Sequence, residues 1–377
     1  KYKLWDKTQL TKKTRLPLTN LSSPSPNRPS VSCAPFGLAD PQASQAIARW
    51  LLICCALVFC MILLGGVTRL TDSGLSMVRW EPISGVLPPI SANQWQQEFD
   101  HYREYPEYQK INKGMSLEAF KTIFYFEWAH RVLGRTIGLV FALGFFWLWY
   151  KRYLTRRMTP HLVAMFLLGG LQGLLGWYMV KSGLVDNPDV SQYRLTAHLG
   201  TAILVFLYML WMVFALLERQ PPQIVSPVFR RAIIGLGILS SVTVLSGGFV
   251  AGLKAGHAFN TFPLMAGKLI PPGYVVLTPA WRNFFENIPT VQFNHRLLAI
   301  TTLLLTLIFV FRVLRHPKFQ AQRLIAVFLG LAVVGQVTLG ITTLLFHVPV
   351  VLAAVHQAMA ILVLSAMLYA VFRFRRV

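Results

Sequence analysis

Four histidines of this 377-residue chain lie where a metal-bound cofactor could use them: His130, His198, His295 and His356. All four fall inside apolar segments, where a polar side chain is costly unless something uses it. Each lies near the N-terminal end of an even-numbered predicted span, so at about 1.5 Å rise per residue they share one depth, roughly 5–10 Å below the membrane surface. Two imidazoles facing each other across a helical core are the ligands of a bis-histidine haem, and the pattern therefore predicts two haem sites.

These imidazoles have other possible uses. A hydrogen bond between helices accounts for a single membrane histidine, but less well for a set that is paired and duplicated. Zinc and copper also bind imidazole, yet the predicted spans contain no matching cluster of carboxylates or thiolates. Three of the four cysteines lie within the first span and form no zinc-binding pattern. Haem iron is the metal that the pattern favours.

Glu127 lies three residues before His130, which places both side chains on one face of a helix. The corresponding position in the second half of the chain is Gln292. A carboxylate inside the membrane could accept a proton or stabilise positive charge at the edge of a haem. The alternative is an ion pair with Arg131 or Arg135. The difference between the halves predicts a reactive haem beside Glu127 and a structural or electron-relaying haem in the second half.

Arginines directly follow two of the histidines. Arg131 follows His130 and Arg296 follows His295, and a guanidinium can grip the carboxylate of a haem propionate. The alternative is that these side chains extend to the membrane interface. Glycines near the histidines either allow close helix packing or leave room for a flat macrocycle. They are Gly134, Gly138, Gly169, Gly170, Gly173, Gly176 and Gly200.

The elements that must hold these side chains are membrane helices. Apolar residues make up 54% of the chain and charged residues only 13%, against about 25% charged residues in soluble domains. This composition disfavours nucleic acid as the partner of the +22 net charge. Runs of roughly 20 apolar residues can cross a bilayer. The runs predict an all-α polytopic membrane protein with eight transmembrane helices, at Trp50–Val67, Ile123–Tyr150, His161–Val180, Leu195–Leu217, Ala232–Val250, Val291–Phe311, Leu324–Leu344 and Val351–Phe372.

Charge predicts the orientation of these spans. The loops after spans two, four and six and the C-terminal tail are rich in Lys and Arg and contain one acid, Glu218. The positive-inside rule therefore places both termini on the inner side of the membrane. Residues 1–49 are basic and rich in Ser, Thr and Pro, which is typical of a mitochondrial transit-peptide remnant or a disordered arm. For a mitochondrial protein the inner side is the matrix.

The two halves of the chain repeat the same landmarks in the same order. This duplication predicts two pseudo-symmetric four-helix bundles, over residues 50–217 and 218–377. The matched landmarks are Gly65-Gly66-Val67 with Gly247-Gly248-Phe249, His130-Arg131 with His295-Arg296, Gln172 and Gly176 with Gln336 and Gly340, and His198 with His356. An outer loop over residues 68–122 is long and aromatic, and it could be a lid over the first site or a docking surface for a redox partner.

The sequence resembles the mitochondrial type of the haem A synthase family from about residue 49 to residue 377. The stretches that carry the resemblance are Gly65 to Ser76 (GGVTRLTDSGLS), Glu127 to Arg131 (EWAHR), Gln172 to Leu184 (QGLLGWYMVKSGL), Ser191 to His198 (SQYRLTAH), Phe293 to Arg296 (FNHR) and Ala354 to Gln357 (AVHQ). Together these motifs are specific to the family.

The resemblance implies an activity and a set of roles. The family oxidises one ring methyl of haem O to a formyl group through an alcohol, which gives haem A for cytochrome oxidase. By this resemblance His130 and His198 are ligands of the substrate haem, with Glu127 beside the reacting methyl. His295 and His356 are ligands of a resident haem b. Some bacterial members carry a cysteine pair in the outer loops, and this chain has none there.

The resemblance also implies a location and partners. These are the mitochondrial inner membrane with both termini in the matrix, a redox donor such as a ferredoxin, a haem O synthase and a homo-oligomer. Two competing functions stay open on the residues alone. A di-haem electron carrier explains four histidines but not the Glu127 and Gln292 difference. A transporter or haem-insertion factor predicts broken helices near the midplane of the membrane.

Overall fold

A computed structural model of the chain describes residues 35–38, 40–79, 84–185, 188–218 and 226–374. Residues 1–34 of the predicted basic arm and the last three residues lie outside this range. The described residues are helical apart from turns and one isolated β-bridge between Met265 and Lys268. The predicted all-α class is therefore confirmed.

The described residues form eleven α-helices, with five short 3-10 helices between them or before the first. The α-helices are α1 (Pro41–Leu70), α2 (Ala92–Arg103), α3 (Pro106–Lys110), α4 (Leu117–Tyr150), α5 (Thr159–Lys181), α6 (Gln192–Leu217), α7 (Pro227–Gly252), α8 (Asn283–Glu286), α9 (Ile288–Arg315), α10 (Gln320–Leu345) and α11 (Val350–Arg373). Eight of them are long and apolar enough to cross a membrane, namely α1, α4, α5, α6, α7, α9, α10 and α11. Each of the eight is one continuous helix, which does not fit the broken helices that a transporter would need.

Two of the eight helices begin well before the predicted spans because their N-terminal caps lie outside the apolar run. Asp40 caps α1 by accepting a hydrogen bond from the backbone N–H of Gln42, and Pro41 occupies the first turn. The last nine residues of the predicted arm, 41–49, are therefore helical. Ser116 caps α4 in the same way, so this helix starts six residues before Ile123.

The eight long helices contact one another in two groups of four. In the first, α1 packs against α4 and α6, and α5 packs against α4 and α6. In the second, α7 and α10 each pack against α9 and α11. The groups meet where α1 contacts α11 and α6 contacts α7 and α11. These contacts fit the predicted division at residue 217, while the symmetry between the groups stays a prediction.

Short helices in the long outer loop pack onto the outer end of α4. The buried side chains of this contact form an aromatic cluster that consists of Met77, Trp95, Phe99, Tyr102, Phe120 and Phe124. Phe124 lies one turn before Glu127 on α4, so the aromatic cluster holds the loop close to the predicted first site. At the C-terminal ends of α6 and α11, Glu218 forms an ion pair with Arg373 at 2.5 Å that joins the two helices.

Candidate functional site

The structure brings the four predicted histidines together as two pairs. His130 of α4 lies close enough to His198 of α6 to interact electrostatically, and His295 of α9 is related in the same way to His356 of α11. Each pair therefore joins two helices of one group of four. The way these helices pack is consistent with the predicted pairs.

Every one of these imidazoles lies against a glycine of a neighbouring helix. A Cβ atom added to the glycine would lie about 3 Å from the ring carbon Cε1, which is closer than side chains normally approach. The pairs are Gly65 with His130 (2.9 Å), Gly176 with His198 (3.2 Å), Gly247 with His295 (3.2 Å) and Gly340 with His356 (2.8 Å). Sequence reasoning had noted all four as matching landmarks and Gly176 also as a residue that allows close packing or leaves room for a macrocycle, but it assigned none of them to a histidine. Their recurrence at equivalent positions was the signal that could have assigned them to the histidines.

One histidine has a hydrogen bond that fixes which ring nitrogen is available. The hydroxyl of Ser246 donates to the carbonyl oxygen of Thr243 at 2.7 Å, so its oxygen accepts from Nδ1–H of His295 at 2.8 Å. This arrangement leaves Nε2 of His295 free to bind a metal. The residue before the first glycine of α1 is Leu64, which offers no such partner.

The Nδ1 atoms of the other three histidines are buried. For His130 and His198 this atom has no hydrogen-bond partner among the described residues, while His356 lies within reach of the backbone of Gln336. Buried polar atoms are normally satisfied, and exceptions often mark a site with a missing ligand or water. Of the four histidines, His295 therefore has the most fully determined ring orientation.

Glu127 is buried and held by three donors. Its Oε1 accepts from Nη2 of Arg131 at 2.6 Å, and its Oε2 accepts from the hydroxyl of Ser76 and the N–H of Met77, each at 2.8 Å. The side chain is 5% exposed. The ion pair with Arg131 that was considered as an alternative is thus present. These three contacts fix the carboxylate one turn before His130 on α4.

Two of these donors come from the long outer loop. Ser76 and Met77 lie in the segment between α1 and α2, so this loop holds the carboxylate one turn from His130. The predicted lid stays a prediction. The predicted docking surface for a redox partner stays a prediction.

The two predicted arginines hold the outer loops by the same pattern of contacts. Arg131 donates to the carbonyl oxygens of Met77 and Arg79, at 2.7 and 3.0 Å. Arg296 donates to the carbonyl oxygens of Phe259 and Thr261, both at 2.7 Å. In each half the acceptors are two residues apart. Holding the loop is therefore a role that sequence reasoning missed, because the acceptors are backbone atoms of distant residues.

Contact with haem propionates stays a prediction for both arginines. One feature supports it in the first half, where a cavity of about 200 Å³ is lined by Arg131 and two further cations, Arg79 and Lys181. In the second half, Gln292 takes the place of the carboxylate and donates to the carbonyl oxygen of Phe259 at 3.1 Å. Gln292 is 3% exposed. The neutral amide at this position thus holds the loop where the first half has a charge.

The donor set fits haem better than a bare metal ion. Within the part of the chain that the structure describes, no group of three or more His, Cys, Asp or Glu side chains could hold an ion. A haem needs from the protein only one imidazole on each face of the ring, because the porphyrin supplies the other ligands. The histidine pair in each group of helices could supply these two imidazoles. Fold and site together define a polytopic helical membrane protein with two paired-histidine sites.

Comparison with known proteins makes this class more specific. The chain belongs to the cytochrome oxidase assembly protein family, whose model matches residues 48–368. It is 50% identical over 335 residues to a protein of Nitrosospira multiformis named heme A synthase, covering 88% of this chain and 94% of that one. A protein of the same name from Nitrosomonas eutropha is 47% identical over 346 residues, or 90% and 97% of the two chains. A third, from Parvibaculum lavamentivorans, is 46% identical over 329 residues, or 87% and 94%.

Proposed function

We propose that this chain is a haem A synthase, an oxidoreductase that converts a ring methyl of haem O to a formyl group through an alcohol. The name of its relatives and the membership of its family agree with this activity. The single observation that carries it is the buried carboxylate of Glu127, one turn from a paired histidine in one half of the protein and replaced by Gln292 in the other.

The two histidine pairs have different roles in this proposal. His130 and His198 hold the substrate haem O, and His295 and His356 hold a resident haem b. The hydrogen bond from His295 to Ser246 supports the second assignment, since a fixed imidazole favours lasting ligation. Leu64 gives His130 no equivalent partner, which suits a substrate that must leave.

The chain's own residues act on the substrate through position and charge. Oxidation of the ring methyl removes electrons and protons, takes its oxygen atom from a water molecule and builds positive charge at the ring edge. A haem b held by His295 and His356 would pass the electrons onward. The carboxylate of Glu127 places a fixed negative charge near that edge. Arg131 and the outer loop keep the carboxylate in place and limit the access of water. A fixed charge works without reorganisation during the reaction.

The location and the partners are a further part of the proposal. Eight apolar helices make the chain a multi-pass membrane protein. Its placement in the mitochondrial inner membrane with both termini in the matrix rests on the basic segment 1–49 and on the basic loops of one side. The three relatives named above are bacterial proteins. A ferredoxin-type redox donor, a haem O synthase and a second copy of the chain are proposed partners on the resemblance alone.

Replacement of Glu127 by Ala tests this function. The variant should bind haem b normally, because Glu127 is in the other half, and should lose haem A formation by a factor of about 10²–10³, the usual effect of removing one preorganised electrostatic group. Gln292→Ala is the matched control and should keep most activity. The assay is separation of haems O, B and A extracted from a host that lacks its own enzyme. Normal haem A in the Glu127→Ala extract would exclude the proposed role.

A further inference from the structure

Adjacent glycines of α1 face two different histidine sites. Gly65 lies against His130, in its own half of the protein. Gly66 lies against the side-chain amide of Gln357, which follows His356 on α11 in the other half, and a Cβ at Gly66 would overlap that amide. Neighbouring residues of a helix point about 100° apart, so one pair of glycines can contact both sites.

The corresponding glycines of α7 make the same kind of crossed contact. Gly247 lies against His295, in its own half. Gly248 lies against Thr196 of α6, two residues before His198, and a Cβ there would be 2.9 Å from the Thr196 hydroxyl oxygen. Thr196 is 7% exposed. The first glycine of each pair therefore contacts a histidine of its own half. The second contacts the helix that carries a histidine of the other half.

A hydrogen bond strengthens the contact at α1. The side-chain amide of Gln357 donates to the carbonyl oxygen of Ile62 at 2.7 Å. This bond fixes α11 against α1 at the height of the histidines. Since interiors are closely packed, a displacement at such a contact passes to the helix as a whole rather than being absorbed locally.

We propose that Gln357 and Thr196 are positioning residues that couple the two histidine pairs across the interface between the halves. Gln357 in the gap left by Gly66 sets the position of His356 relative to α1. Thr196 in the gap left by Gly248 sets the position of His198 relative to α7. The inference rests on the proposed function, because it takes both pairs to be haem ligands. It adds that a change at Gly66 or Gly248, the two crossed contacts, alters the ligand geometry in the other half.

Two adjacent alanine substitutions test the coupling. Gly66→Ala and Gly65→Ala are compared in the purified full-length protein by the electron paramagnetic resonance spectrum and the midpoint potential of the resident haem b. We expect Gly66→Ala to shift both readouts, although it lies in the first half. Gly65→Ala should leave both at their wild-type values, because it presses on His130. Wild-type values in Gly66→Ala, or equal shifts in the two variants, would overturn the proposal.

A double variant distinguishes the coupling from general damage to the fold. In Gly66→Ala with Gln357→Ala the overlap is gone, so the spectrum should return toward that of Gln357→Ala alone. If Gly66→Ala does not fold, Gln357→Ala decides by the same spectrum: a shift supports the coupling and a wild-type spectrum refutes it. His356→Ala should abolish the resident signal altogether. If that signal persists, the assignment of the haem site fails, which is a different result from a missing shift.

Discussion

The two halves of this protein hold their histidine pairs alike and differ in what surrounds them. In both halves a glycine of a neighbouring helix lies against each imidazole, and an arginine directly after a histidine holds the outer loop by two carbonyl oxygens. The first half then places the buried charge of Glu127 beside its pair, whereas the second half places the neutral Gln292 there. The same arrangement of glycines and arginines therefore surrounds a charged side chain in the first half and a neutral one in the second.

The outer loops repeat this difference. The first loop buries the carboxyl group of Glu107, which is 3% exposed and has an oxygen without a hydrogen-bond partner. The second loop is held by two buried amides, Asn283 and Asn287. Asn283 accepts from the N–H groups of Val276 and Leu277 and Asn287 donates to the carbonyl of Gly273. The first outer loop therefore buries a carboxyl group where the second buries amides.

Replacing the two arginines should have unequal effects. Arg131→Gln leaves the buried carboxylate of Glu127 without its cation and should cost about 3 kcal/mol of stability. Arg296→Gln removes hydrogen bonds but strands no charge, and should cost about 1–2 kcal/mol. Thermal unfolding of both variants in detergent, followed by circular dichroism, compares them. Equal losses of stability in the two variants would show that leaving the charge of Glu127 unpaired costs little free energy.

The stability of the first outer loop should depend on pH. Burial raises the pKa of Glu107 from 4.5 to about 7. The folded chain then keeps a proton that the unfolded chain has lost, so stability falls as pH rises from about 4.5 to about 7 and levels off above that. The upper limit of the effect is about 3 kcal/mol. Tyr102, Asp72, Glu127 and Lys254 are the other ionisable groups that act on this carboxyl.

Hydrogen exchange of the two outer loops at pH 5 and pH 8 measures this effect. The segment that contains α2 and α3 should lose protection at the higher pH after correction for intrinsic exchange, while the segment around Asn283 should not. Glu107→Gln keeps the hydrogen-bonding shape without ionisation and should remove the dependence. If the wild type and this variant respond to pH alike, another group is responsible.

The smallest expected effect is at Ser246. Ser246→Ala removes the hydrogen-bond acceptor of His295 and should weaken binding of the resident haem by about tenfold. This is the lower limit of the usual loss in affinity when a metal-binding histidine loses its hydrogen-bond partner. Loss of this bond also makes the imidazole a weaker donor, so the midpoint potential should rise. Leu64→Ala at the matching position of the first half is the control and should leave the resident haem unchanged. Haem retention during dialysis against apomyoglobin reports the affinity.

The sequence predicted the fold and the placement of the histidines because both follow from patterns along the chain. Eight apolar runs gave eight helices, and histidines at one depth in alternate spans came together in pairs. The starts of α1 and α4 were missed by nine and six residues, since the caps Asp40 and Ser116 lie outside the apolar runs that located the spans.

Contacts that depend on the third dimension could not be predicted in the same way. The glycines were recognised as repeated, but which side chain fills the gap beside each of them depends on helix crossings. The role of Arg131 in holding the loop depends on carbonyl oxygens more than 50 residues away. The ion pair between Glu127 and Arg131 lies within α4 and was an alternative that the sequence offered. The contacts of Glu127 with Ser76 and Met77 depend on how the loop packs and were not predicted.

The haem content of two double variants shows whether each histidine pair holds one haem and whether the two haems differ. In the purified protein, His295→Ala with His356→Ala should remove haem b, while His130→Ala with His198→Ala should remove haem O and its oxidised forms and leave haem b in place. Loss of the same pigment from both variants, or full retention of all pigments in either, would contradict the account.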